Sequence, residues 1–149
     1  MGKTARNWIE HTEDWRYAPM AYWVHVQLGD IEWRASESYD PPAPRAEGSQ
    51  GYPVLCVESQ GFVLRFSSSA QLAQCMDILA RKPLPTSRRL SAIRGGVHGP
   101  NSHWLSRLPG YIKSPKVRHR VVEDLRSVIS AMAPDNPFRP AHIRHAASP

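Results

Sequence analysis

The chain has 149 residues, of which 41% are hydrophobic and 21% are charged, and its formal net charge is +6. This length fits one domain with its own core, and the composition is that of a globular chain, which excludes disorder of the whole protein. Apolar runs are far shorter than the ~20 residues of a membrane-spanning helix and the N-terminus lacks the apolar segment of a secretory signal, so we expect a cytoplasmic protein with no membrane partner.

The first third of the chain predicts an arm followed by a hairpin. Residues 1 to 19 have no clear period, and we expect an N-terminal arm that packs through Trp8 and Trp15. From residue 20 to residue 28, aromatic and β-branched residues alternate with a period of two, which is typical of a strand. Gly29-Asp30 favours a tight turn, and the alternation over residues 31 to 36 predicts that the chain pairs back on itself.

A second hairpin is predicted after a loop. Residues 40 to 51 include three prolines and two glycines, which indicates a mobile loop because proline cannot donate a backbone amide to a sheet. Two short apolar strands follow, at 52 to 58 and 62 to 67, around Ser59-Gln60-Gly61, a typical turn sequence. The two hairpins together predict a four-stranded antiparallel sheet.

Two amphipathic helices are predicted after the strands. Ser68 with Gln71 three positions later is a capping box, and Pro83 ends the first helix. The last helix begins with Ser114 as N-cap and Pro115 at the first helical position. An irregular basic segment separates the two helices. The apolar stripe of the last helix consists of Val117, Val121, Leu125, Val128 and Met132.

Strands followed by helices predict an α+β fold, in which the two main helices pack on one face of the sheet. We expect a single α+β domain over residues 1 to 133, with residues 1 to 19 as its arm. Residues 134 to 149 are rich in proline and predict a loosely ordered tail.

Positive charge is concentrated in one part of the chain. The stretch from Ile78 to Val122 has ten Lys or Arg and no Asp or Glu, whereas residues 1 to 60 have five bases and nine acids. Localised charge of this kind indicates an anionic partner such as a nucleic-acid backbone. Exposed Trp or Tyr can stack on unpaired bases, and the start of the last helix attracts anions. The candidate nucleic-acid-binding residues are Arg88, Arg89, Arg94, Trp104, Arg107, Tyr111, Lys113, Ser114, Lys116, Arg118 and Arg120.

Three alternatives remain open at this point. The basic region could be neutralised by the acidic N-terminal half of the same chain. It could instead dock on an acidic protein or a ribonucleoprotein, as a small adaptor or inhibitor of the phage or mobile-element type would. The third is a metal-independent ribonuclease, which needs a general base, a cation and a tyrosine, here His103, Arg107 and Tyr111.

Known cofactor and metal motifs do not fit the chain. The glycine-rich residues 95 to 101 match neither a Walker A loop nor GxGxxG, and the HxxH formed by His142 and His145 has no cysteine partners. We therefore expect no metal, no cofactor and no catalytic residue. The leading prediction is a non-enzymatic accessory protein that binds the phosphate backbone of DNA or RNA.

Overall fold

A computed structural model describes residues 4–96 and 99–141 of the chain. These residues form five strands and four helices, which confirms the α+β class. The strands are β1 (Asn7–Thr12), β2 (Val26–Gln27), β3 (Tyr39–Asp40), β4 (Tyr52–Ser59) and β5 (Phe62–Phe66). The helices are α1 (Ala21–Val24), α2 (Ser69–Ala80), α3 (Ser87–Ile93) and α4 (Pro115–Ser130). Short 3₁₀ turns lie at Trp15–Tyr17, Trp33–Ala35, Gly48–Gln50, Pro100–Ser102, Trp104–Arg107 and Gly110–Lys113.

The strands form two antiparallel sheets, so the predicted four-stranded sheet is wrong. The main sheet has three strands in the order β1-β4-β5, and β2 pairs with β3 in a separate two-stranded ribbon. The second hairpin is confirmed: β4 and β5 pair around the predicted turn, with Ser59 opposite Phe62. Strand β1 pairs with the other side of β4, and Trp8 of β1 lies opposite Cys56 of β4.

The predicted N-terminal arm therefore contains the edge strand β1. Its residues are mostly exposed, and only Trp8 and Thr12 are half-buried, so the hydrophobic alternation that marks a strand is missing. Pairing with β4 supplies the backbone partners instead. At one end of this pairing Gly51 has a φ of +97°, and a Cβ there would lie 2.5 Å from the carbonyl oxygen of Thr12. Only glycine permits that approach.

The predicted first hairpin is also wrong, and aromatic packing explains why. Residues 21 to 24 form α1, and the segment that was expected to pair back instead makes a 3₁₀ turn at Trp33–Ala35. The Trp33 indole N–H donates to the carbonyl oxygen of His25 over 2.7 Å. Trp33 also packs with Trp15 and Tyr39 in a small aromatic core of its own. These rings pack together in one cluster. An alternating strand would direct successive side chains to opposite faces of a sheet instead.

Both main helices are confirmed, and their buried residues share one core with β4 and β5. The Ser68 hydroxyl accepts the backbone N–H of Gln71 over 3.2 Å at the start of α2. The Gln71 side chain completes the cap on Ser67 rather than on Ser68, since its Oε1 accepts the Ser67 backbone N–H. On α4, Val121, Leu125 and Val128 are buried in the main core.

The chain remains packed beyond residue 133. Phe138 is 4% exposed and belongs to the main core. The Arg139 guanidinium donates to the carbonyl oxygens of Ile129 and Met132 at the end of α4. Within residues 134 to 141, where the sequence predicts a loosely ordered tail, Phe138 and Arg139 attach the segment to the domain. Residues 142 to 149 lie outside the described residues.

Candidate nucleic-acid interface

The end of α2 meets the start of α4, and Arg118 joins them. Its guanidinium donates to the carbonyl oxygen of Leu79 over 3.1 Å, to that of Arg81 over 3.3 Å and to that of Lys113 over 2.8 Å. The last carbonyl groups of a helix carry a partial negative charge and lack partners within the helix, so a cation there is stabilising. Arg118 caps the C-terminal end of α2.

This contact changes the role predicted for Arg118. The side chain is buried, with 7% of the residue exposed, and three of its five N–H groups already bind backbone oxygens. Arg118 therefore does not reach into solvent, as the predicted phosphate ligand would. Its position instead fixes the backbone from which the neighbouring cations project.

A basic groove lies between the two helices beside Arg118. Its volume is about 870 Å³, and its floor includes the apolar side chains of Leu79 and Val122. The other lining residues are Ala80, Lys82, Pro83, Pro115, Lys116, Arg118, His119, Arg120 and Arg126. The lining contains no Asp or Glu. A concave surface of one sign concentrates the field on an incoming anion.

Four cations of this groove are exposed: Lys82, Lys116, Arg120 and Arg126. Within the described part of the chain, Lys82, Lys116 and Arg120 make no ion pair. Arg126 differs, since it pairs with Glu123 over 2.7 Å on the same helix. Lys82, Lys116 and Arg120 are thus the groove residues best placed for an external anion.

Two further predicted residues lie on α3. The helix is capped by Thr86, whose hydroxyl accepts the backbone N–H of Arg89 over 3.1 Å, and both Arg88 and Arg89 are exposed on its first turn. Six residues separate Arg88 from Lys82 along the chain, so the two Cα atoms are at most about 20 Å apart. The first turn of α3 therefore lies within a few nucleotides of the groove. Arg107, at the end of a 3₁₀ turn, is also exposed.

The two aromatic residues predicted to stack on bases have different positions. Trp104 is only 2% exposed and packs in the main core, so its ring is not accessible for the predicted stacking on bases. Tyr111 is 50% exposed, and its hydroxyl donates to the carbonyl oxygen of Gln60 over 2.9 Å at the β4–β5 turn. Its ring remains accessible.

Arg94 is occupied by an intramolecular contact. Its Nε donates to the carbonyl oxygen of Tyr22 over 2.8 Å, and an Nη donates to Oε1 of Gln27 over 3.2 Å. The guanidinium also lies 4.0 Å from the centre of the Tyr22 ring. This half-buried arginine joins α3 to the α1–β2 segment, so its donors are engaged within the chain rather than directed to a phosphate.

The start of α4 is where the sequence predicts it, with a different cap. Ser114 precedes the helix, but its hydroxyl donates to the carbonyl oxygen of Tyr111 over 2.9 Å and accepts no helix amide. Lys113 is half-buried, and its backbone carbonyl accepts from Arg118. The site thus keeps the first turn of α4 with Lys116, while Ser114 shapes the preceding turn.

The acidic N-terminal half does not neutralise the basic segment in the residues that the structure describes. Glu10 pairs with Arg65 over 2.6 Å and Asp14 pairs with Arg16 over 3.0 Å. Of the ten bases between Ile78 and Val122, Arg81 alone forms a described ion pair, and its partner is Asp77 within α2. Within the described residues, the other nine bases of this stretch therefore keep their charge without an intramolecular ion pair.

The ribonuclease alternative draws no support from the position of His103. The residue is 2% exposed, its Nδ1 accepts the backbone N–H of Leu105 over 3.0 Å, and its ring packs 4.6 Å from that of Trp23. Burial lowers the pKa of His103 to about 4. The ring is therefore a core group, which a phosphodiester could reach only after local unfolding.

The described residues contain neither a metal-binding cluster nor a membrane-spanning helix. Between residues 4 and 141, leaving out Val97 and His98, no three His, Cys, Asp or Glu side chains come together as a metal site. In the same residues, no helix combines the length and the apolar character that a bilayer span requires. Two predicted motifs, the centre of the glycine-rich loop and the HxxH of the tail, fall outside the described residues.

Sequence reasoning missed part of the groove. Lys82, His119 and Arg126 line it, although none of the three is among the predicted binding residues. A usable signal was present on α4, because Lys116, His119 or Arg120, and Arg126 recur at helical spacing. No sequence signal placed Lys82 opposite them.

Comparisons with protein-family models, with curated proteins and with solved structures find no significant match to this chain. The function proposed for the site therefore rests on its geometry and charge.

Proposed function

We propose that this chain is an accessory protein that binds nucleic acid through its phosphate backbone. The contact surface is the groove between α2 and α4, with Lys82, Lys116 and Arg120 as the main cations, extended by Arg88 and Arg89 on α3. One observation carries the proposal: the groove lining contains six basic residues counting His119, namely Lys82, Lys116, Arg118, His119, Arg120 and Arg126, and no carboxylate.

The physical argument is that exposed cations without counter-charges repel each other, and a polyanion removes this repulsion while releasing its own condensed counterions. Arg and Lys on a groove rim are suited to phosphate oxygens. Base reading has less support, because Trp104 is buried and Tyr111 alone of the predicted aromatics exposes its ring. Recognition of backbone and shape is the mode that fits these residues.

Salt dependence tests the proposal quantitatively. If Lys82, Lys116 and Arg120 each neutralise one phosphate of a duplex, the slope of log K against log salt is about −2.7, and affinity falls roughly 40-fold between 50 and 200 mM salt. We expect this slope in fluorescence-anisotropy titrations with labelled random duplexes. With single strands the slope per contact is shallower, about −0.7.

Charge reversal locates the surface. The double variant Lys116→Glu/Arg120→Glu should abolish binding at low salt for every sequence tested. The matched control is Arg34→Glu/Arg45→Glu, which makes the same charge change at two exposed arginines outside the groove and should weaken binding only modestly. Equal losses in both variants would show that only net charge matters, and no binding by the native chain at 50 mM salt would refute the proposal.

A second candidate function is an adaptor or inhibitor that docks on an acidic protein surface. It is favoured by Ile93, which is 76% exposed on α3, the helix that also carries Arg88 and Arg89. Apolar side chains beside arginine are common in protein interfaces. For this function, Ile93→Ser would weaken capture of the partner protein, whereas the nucleic-acid proposal predicts unchanged affinity for oligonucleotides.

A further inference from the structure

A serine and a histidine that are 43 residues apart in sequence meet at the start of α2. The Oγ of Ser68 lies 2.8 Å from Nε2 of His25, and Nδ1 of His25 lies 2.9 Å from the carbonyl oxygen of Pro41. A carbonyl oxygen only accepts hydrogen bonds, so Nδ1 carries the ring proton and Nε2 is the acceptor. The Ser68 hydroxyl therefore donates to Nε2, which is the arrangement of a nucleophile with its general base.

The histidine is held rigidly in that orientation. His25 is fully buried, its ring meets the Trp15 ring edge-on at 5.0 Å, and its backbone carbonyl accepts the indole N–H of Trp33 over 2.7 Å. Burial lowers the pKa of His25, which keeps the ring neutral before the reaction and also makes it a weaker base than an exposed histidine. Rigid support of this kind is what a catalytic pair requires.

The serine faces a cavity. Ser68 lines a cavity of about 430 Å³ whose wall is mainly apolar and includes Pro41, Pro42, Pro53, Ala70 and Phe138. The backbone N–H groups of Ser69 and Ala70, at the first two positions of α2, have no acceptor within a helix. Among the described residues they make no other hydrogen bond. Backbone N–H groups beside a nucleophile are the donors that stabilise an oxyanion.

We propose that Ser68 and His25 form a catalytic dyad that hydrolyses small carboxylic esters bound in this cavity. His25 Nε2 takes the hydroxyl proton while Ser68 Oγ bonds to the ester carbonyl carbon, and the resulting oxyanion is held by the Ser69 and Ala70 amides. The bond from carbon to the alkoxy oxygen then breaks, and the imidazolium gives its proton to the leaving alcohol. Water repeats the sequence on the acyl-serine, with His25 as base, which releases the carboxylic acid and restores Ser68.

The hydroxyl has the lone pair that this reaction needs. A serine oxygen accepts two hydrogen bonds, and one position is taken by the Gln71 amide at 3.2 Å. The second lone pair is available to the substrate. The carbonyl oxygen of Pro41 acts as a positioning group for His25 in place of a carboxylate, so the expected activity is modest.

The dyad is separate from the basic groove. Ser68 precedes α2 and the groove lies at the other end of that helix, whose twelve residues give a length of about 18 Å. The two cavities share no lining residue. The esterase and nucleic-acid proposals therefore succeed or fail independently.

The experiment uses the full-length protein with a fluorophosphonate probe and with p-nitrophenyl acetate. Mass spectrometry of the labelled native protein should place the phosphonate on Ser68. Ser68→Gly removes the nucleophile while keeping a residue that a helix N-cap accepts, and we expect it to abolish labelling and lower ester hydrolysis at least about 100-fold. His25→Gln should cause a similar loss of hydrolysis.

The matched control is Ser130→Ala, an exposed serine at the end of α4 that lies outside this cavity and should retain labelling and hydrolysis. The absence of label on the native, folded protein would overturn the proposal without any variant, as would label on another residue. Hydrolysis that survives in folded Ser68→Gly, checked by circular dichroism, would overturn it as well.

Discussion

Replacing Arg118 by methionine separates a structural role for this residue from a role in phosphate binding. Methionine keeps a similar stem and removes the guanidinium. The three carbonyl oxygens of Leu79, Arg81 and Lys113 then lose their donor. We expect Arg118→Met to destabilise the fold by about 2–4 kcal/mol.

The magnitude follows from the burial of each bond. The bond to Leu79 is buried, whereas those to Lys113 and Arg81 are part-buried. A buried acceptor left without a partner costs about 1–3 kcal/mol. Water can replace the donor at the two part-buried oxygens, and each of these losses is then about 0.5 kcal/mol.

Urea unfolding followed by circular dichroism measures the effect, and Arg120→Met is the matched control. Arg120 is exposed on the same helix and makes no described ion pair, so its free energy of unfolding should change by less than about 0.5 kcal/mol. If Arg118→Met matches the control in stability and loses only nucleic-acid affinity, the capping role is refuted.

Four other predictions concern the core and the tail. Because burial lowers the pKa of His103 to about 4 from an ordinary value of 6.5, the unfolded chain binds that proton more readily, and stability is lost as pH falls from about 6.5 to 4. Native protein should lose on the order of 3 kcal/mol more than His103→Gln over this range in urea titrations. Cys56 and Cys75 are both buried, and burial raises the pKa of both thiols, so Ellman's reagent should modify them only in denatured protein. Phe138→Ala should cost about 3–5 kcal/mol of unfolding free energy. Arg94→Gln should lower stability by about 1–3 kcal/mol and change oligonucleotide affinity less than twofold at fixed salt.

Each of these four has an outcome that contradicts it. An equal loss of stability at low pH in His103→Gln would show that carboxylates account for the whole effect. Rapid modification of a thiol in the native protein would disprove the burial of that cysteine. A Phe138→Ala variant as stable as the native chain would restore the prediction of a loose tail, and a large loss of affinity in Arg94→Gln would return that arginine to the binding surface.

The parts of the fold that were predicted correctly depend on neighbours in sequence. Ser68 caps α2 through an amide three residues away, Pro115 begins α4 because its missing N–H has no cost there, and Gly61 sits in the β4–β5 turn with a φ of +79°. Each of these signals involves only a few consecutive residues. Local backbone geometry determines these features, so they can be predicted from the sequence.

The candidate site was only half predictable. Exposed cations such as Lys116 and Arg120 could be chosen from the acid-free stretch, because charge is a property of composition. The sequence could not predict which arginines have guanidinium groups free of intramolecular hydrogen bonds. Arg94 and Arg118 resemble the others in sequence, yet they bind carbonyl oxygens 72 and 39 residues away. The contact between His25 and Ser68 could not be predicted for the same reason, because the two residues are 43 positions apart in sequence.

By itself the sequence determined the class of fold, the second hairpin, the two main helices and the presence of a positive surface. Periodicity, capping and charge are local quantities, and they suffice for these features. The tertiary structure alone decided that residues 7–12 pair as an edge strand, that Trp15, Tyr22, Trp33 and Tyr39 form a separate cluster with His25, and which cations stay exposed without an ion pair. These outcomes depend on hydrogen bonds and packing between distant segments, whose free energies no single stretch of the chain contains.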